Sequence, residues 1–82
     1  MRRYAIRCDG FPETFLEGSF SFSAFDAGLK WLSEKEPGYE PCSAIYLKTS
    51  EDEENGLHTI WRMEAYDHDA DKGIVIYIRE LL

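Results

Sequence analysis

Polar and apolar residues alternate at the start of the chain. Tyr4, Ile6 and Cys8 fall on one side, Arg3 and Arg7 on the other. A period of two over residues 3–8 predicts a half-buried strand, which Asp9-Gly10 and then Pro12 end. Residues 13–22 carry Phe15, Leu16, Phe20 and Phe22 around Gly18. They are expected to form a second strand, bent or bulged at the glycine, in a hairpin with the first. Ser23 and Asp26 then stand at capping-box spacing. Phe25, Leu29 and Leu32 follow at i, i+4 and i+7, flanked by Gly28 and Trp31, and predict an amphipathic helix with that core face. Pro37-Gly38 ends it near residue 35. Gly28 costs such a helix about 1 kcal/mol relative to alanine, and would let it lie close on a sheet.

The second half reads as three strands. Residues 42–49 form the third, and the acidic turn Glu51 to Gly56 closes on Asn55-Gly56, a strong hairpin signal. Residues 57–66 form the fourth, and a polar turn over 67–73 follows, with Gly73 expected to supply a positive φ. Residues 74–80 form the fifth, with Ile74, Ile76 and Ile78 on one side and Val75, Tyr77 and Arg79 on the other. The fold class is α+β: one small domain, β-β-α-β-β-β, an antiparallel sheet with one helix packed on one face. Strands three to five should form a meander. The fifth strand has two placements. At an edge it would pair with its own copy in a homodimer. In the centre its two apolar sides would be buried in the monomer.

Eighty-two residues make a single domain, 1–82. An apolar share of 44% and an aromatic share of 15% supply a core without a metal or a disulfide. Phe15, Phe20, Phe22, Phe25, Trp31 and Trp61 are assigned to that core, and Tyr39, Tyr46, Tyr66 and Tyr77 to partly exposed positions. Cys8 and Cys42 lack C-x-x-C spacing and read as reduced thiols. No apolar run approaches a membrane span or a secretory signal, so a cytoplasmic location is expected.

Charge changes the picture most. The net charge is −7, and residues 34–71 hold eleven acids against Lys35, Lys48 and Arg62. That asymmetry argues against direct nucleic-acid binding and against an anionic membrane. It favours a protein partner with a basic surface. A ten-residue fourth strand spans about 33 Å, so the flanking turns lie far apart. Glu34, Glu36, Glu40, Asp67, Asp69 and Asp71 should gather at one end with Tyr39 and Tyr66, and Glu51, Asp52, Glu53 and Glu54 at the other.

Candidate chemistry is sparse. Asp67, Asp69 and Asp71 resemble the opening of an EF-hand calcium loop, but Lys72 stands where glycine is needed and Ile78 where glutamate is. A solvated hairpin turn is the expectation, with no metal and no cofactor. His58 and His68 fall near opposite ends of the fourth strand and cannot share an ion. There is no G-x-S-x-G elbow and no glycine-rich phosphate loop, so no enzyme is expected. The sequence reads as a small acidic protein-binding module. It would be an inhibitor that occupies a basic, nucleic-acid-binding surface, a type in which phage- or plasmid-encoded inhibitors and immunity-type proteins share this acidity. The alternative is a homo-oligomeric structural or accessory domain without catalytic activity.

Overall fold

The computed structural model describes residues 1–47 and 60–81, with the backbone alone for 43–47. Its elements are β1 (Arg2–Cys8), β2 (Thr14–Gly18), α1 (Ala24–Lys35), β3 (Glu40–Leu47), β4 (Ile60–Asp67) and β5 (Lys72–Leu81). They form one five-stranded sheet in the order β2-β1-β5-β4-β3, antiparallel at every pairing, with α1 on one face. The α+β class and the element order are those the hydrophobic pattern predicts.

β1 and β2 join through a tight turn in which the Phe11 amide donates to the Cys8 carbonyl at 3.1 Å. Gly10 has φ 87° there, the value a type II turn needs at its third position. β2 is shorter than the run 13–22 suggests. It stops at Gly18, and Ser19–Phe22 make a turn closed by Phe22 N–H donating to Ser19 O at 3.0 Å. Phe22 folds back over Gly18 so closely that a Cβ on the glycine would lie 2.5 Å from the ring. Gly18 therefore ends the strand rather than bending it.

The capping box at the start of α1 is complete. Asp26 N–H donates to Ser23 Oγ at 3.1 Å, and Ser23 N–H donates to Asp26 Oδ2 at 3.0 Å. The buried stripe, however, is Ala24, Ala27, Gly28, Trp31 and Leu32. Phe25 and Leu29, expected to face the core, are exposed. The helix is rotated toward its small residues because the sheet already presents bulky ones: Tyr4, Ile6, Met63, Ile76 and Ile78 are all buried. A Cβ at Gly28 would meet Met63 Cε at 2.6 Å and Ile78 Cδ1 at 3.0 Å. The glycine thus allows the close approach. Trp31 fills the space toward the β1–β2 turn, its ring 5.1 Å edge-on from Phe11.

Three core assignments fail. Phe15 is 62% exposed, Phe20 84% and Phe25 44%, whereas Phe22 and Trp61 pack against the core and Trp31 is buried. Phe15 has the odd parity of Arg3 and Arg7 and so lies on the face away from α1.

β5 is the central strand, bonded to β1 on one side and β4 on the other. Its apolar residues on both sides follow from that position, and pairing with a second copy through β5 is excluded because it offers no edge. The edges are β2, only five residues long, and β3, which begins at Glu40 and is interrupted at Cys42 by a register shift between Pro41 and Ser43. Shortness, proline and a bulge all discourage edge-to-edge pairing. In the β4–β5 turn the positive φ belongs to Asp71, at 53°, not to Gly73.

Candidate functional site

The end of the sheet at the β4–β5 turn gathers most of the acidic residues expected there. The helix closes at Lys35, and Tyr39 N–H donates to Glu36 O at 3.0 Å to turn the chain into β3. Glu40 pairs with Tyr66 across β3 and β4, and a Cβ on Gly38 would stand 3.0 Å from Asp67 Oδ2. Glu36, Tyr39, Glu40, Tyr66 and Asp67 are thereby brought to one end, with Glu34 on the last helical turn and Asp69 and Asp71 on the adjoining turn. Glu34, Glu40, Asp69 and Asp71 are exposed, with Lys35 and Lys72 as the cations among them.

Tyr39 and Tyr66 are half-buried, in keeping with the partly exposed positions expected of them: Tyr39 packs against the core, and the Tyr66 ring lies 5.0 Å edge-on from His68. Asp67 is a turn-former: its Oδ1 accepts from the amides of Asp69 at 3.0 Å and Ala70 at 3.2 Å. That is the Asx geometry of a hairpin turn. Among the described residues no three His, Cys, Asp or Glu side chains converge as metal ligands, and Asp67, Asp69 and Asp71 are no exception. The second acidic patch, Glu51, Asp52, Glu53 and Glu54, lies outside the described residues, as does His58.

The sheet face away from α1 is the feature that sequence reasoning missed. Register fixes it in rows across the strands. One row runs Arg7, Tyr77, Arg62 over β1, β5 and β4. The next runs Phe15, Ala5, Arg79, Ile60 over β2, β1, β5 and β4. A third holds Glu17, Arg3 and Leu81, and Val75 and Glu64 lie on the opposite flank. Arg62 donates to Glu64 at 2.6 Å, and hydrogen bonds to Glu64 and Tyr77 raise its pKa, securing its charge. Arg3, Arg7, Arg62 and Arg79 thus share this surface with Glu17, Glu40 and Glu64, and Glu13 stands beside Arg7. Parity along each strand carried this signal, but only the strand order brings the rows together.

Among the described residues, clefts adjoin the sheet at two places. One, of about 240 Å³, lies under the start of α1 between Phe25, Trp61, Met63 and Ile78. The other, of about 400 Å³, opens at the β1–β2 turn beside Arg7 and Tyr77, with Asp9, Phe11 and Glu13 on its walls. Cys8 borders the second cleft. Burial, with Asp9 and Glu36 nearby, raises its pKa, so it stays a thiol and is a poor nucleophile. No helix among the described residues is long and apolar enough to cross a membrane. Comparison with known protein families, curated proteins and solved structures gives no match to this chain.

Proposed function

We propose that the domain is a small, non-catalytic protein-binding module that presents its carboxylate-rich end to a basic surface of another protein, such as one that otherwise holds nucleic acid. The observation that supports this is the convergence of Glu34, Glu36, Glu40, Asp69 and Asp71 at one end of the sheet, held there by the closure of α1, the 36–40 connection and the β4–β5 turn. Opposed potentials steer such an encounter and fix its orientation. The alternative, a homo-oligomeric accessory domain that pairs through a free edge strand, would use β2 or β3.

The test is affinity capture on the immobilised domain, followed by identification and solution titration of what is retained. A basic protein is expected, released as salt rises from about 0.1 to 1 M and the screening length falls from roughly 10 to 3 Å. Asp69→Lys with Asp71→Lys should abolish its retention. Retention indifferent both to salt and to that charge reversal would refute the reading.

A further inference from the structure

We propose that the uncovered face of the sheet is an interface between two copies of this chain, packed face to face without adding a strand to either edge. This goes beyond the basic-partner reading, uses a different surface and does not depend on it. The centre of the face has the make-up of an interface. Tyr77 stands on the central strand, 40% exposed, with Arg7 and Arg62 as its cross-strand neighbours, and Phe15 is 62% exposed on β2. Ile60, Val75 and Leu81 are half-buried on the same face. Interfaces are enriched in aromatic residues and arginine and depleted in lysine, with polar groups at the rim. The described lysines lie elsewhere, Lys30 and Lys35 on α1 and Lys72 at the start of β5. The acids stand around the centre: Glu17 beside Arg3, Glu64 opposite Val75, and Glu40 on the outermost strand.

Self-complementarity points to a second copy as the occupant. A two-fold axis that crosses the strands at Ile78 exchanges the Arg7–Tyr77–Arg62 row with the Phe15–Ala5–Arg79–Ile60 row. Arg7 then lies over the partner's Ala5, Tyr77 over the partner's Arg79, and Arg62 over the partner's Ile60. A large side chain meets a small one, a ring meets a cation, and an aliphatic stem meets an isoleucine. One row further out, Val75 meets the partner's Leu81, and Asp9, just beyond β1, meets the partner's Arg3. None of these pairs opposes like charges. A partner of one sign throughout would oppose either the arginines or the glutamates. Arg62 is already paired with Glu64 at 2.6 Å, so covering it strands no lone charge.

Net charge and area agree with this arrangement. The same axis sends the two acidic ends to opposite poles of the pair, where the net charge of −7 on each copy opposes association least. The strands β2, β1, β5 and β4, at about 4.8 Å each, and the stretch from Val75 to Leu81, at about 3.3 Å per residue, make the face roughly 19 by 23 Å. Two such faces, stacked about 10 Å apart, cover on the order of 900 Å² in all. That lies at the low end of specific interfaces, just above the roughly 800 Å² of incidental contacts. The dimer is therefore expected to be weak and to form as concentration rises.

The test is sedimentation equilibrium of the full chain from about 5 to about 500 μM, the range in which a weak interface assembles. The weight-average mass should climb toward that of two chains. Tyr77→Lys sets an ammonium against the partner's Arg79 and should weaken the dimer by at least about 10-fold. Tyr77→Thr removes only a partly exposed ring and keeps a strand-forming residue. It should weaken the dimer roughly 5-fold or more, and it keeps the test decisive if Tyr77→Lys does not fold, which circular dichroism reads. Glu34→Gln, on α1, should change nothing. Two results would overturn the proposal. One is a monomer over the whole range. The other is a dimer that survives both Tyr77 variants in their folded state, which would assign it to the edges β2 or β3, since Tyr77 lies on the central strand. Neither result bears on the basic-partner reading, which is tested at Asp69 and Asp71.

Discussion

Tyr4 and Cys8 sit side by side in sequence parity on β1, both buried under α1. The Tyr4 hydroxyl donates to the Phe22 carbonyl at 2.8 Å, which ties the 19–22 turn to the sheet, and the ring meets Phe22 and Trp61 edge-on. Both groups ionise less readily folded than unfolded, chiefly because burial penalises the charged form. Glu80 adds to the effect at Tyr4, and Asp9 and Glu36 at Cys8. A pKa raised by folding stabilises the fold fully below the unfolded value and loses that contribution as pH climbs through the folded one. The unfolded values are 9.0 for the thiol and 10.0 for the phenol. Urea unfolding should therefore give a stability flat with respect to these groups below pH 9 and falling above it. Cys8→Ala should remove the earlier part of the fall. A stability that rises above pH 10 would contradict the burial of Tyr4.

At the scale of elements, the spacing between helix and sheet is set at Gly28. The close approach to Met63 and Ile78 leaves no space for a branched side chain. Gly28→Leu should cost about 1–3 kcal/mol despite its better helix propensity, because overpacking forces neighbours off their rotamers. Pairing it with Met63→Ala should recover part of the loss in denaturant titrations, and simple additivity of the two changes would place the contact elsewhere. The alternation in β1 and β5 and the Ser23 cap were legible because a period of two and a capping box are local signals. The helix face was not. Phe25, Leu29 and Leu32 make a regular apolar stripe, but the stripe that is buried contains Ala24, Ala27 and Gly28, since large side chains from the sheet already occupy the volume. β2 was read as too long for a similar reason: Phe20 and Phe22 alternate like a strand, yet Phe22 turns back to cover Gly18. The acidic end was legible because it needs only the hairpin of β4 and β5 and the helix-to-β3 connection. The arginine rows were not, because they depend on β1 lying beside β5, a pairing separated by most of the chain.

Over the whole molecule, the central place of β5 separates two surfaces: a face opposite α1 on which arginines and glutamates alternate around Phe15 and Tyr77, and an acidic end where β4 turns into β5. Asp69→Asn with Asp71→Asn, both at exposed positions, removes two carboxylates from that end. Capture of a basic protein should weaken, because opposed potentials speed the encounter. Stopped-flow association with the captured partner should slow several-fold at an ionic strength of about 0.01 M, where the screening length is roughly 30 Å, and much less at about 0.15 M, where it is roughly 8 Å. Equal slowing at both would mean that the two carboxylates act by direct contact and not through their field.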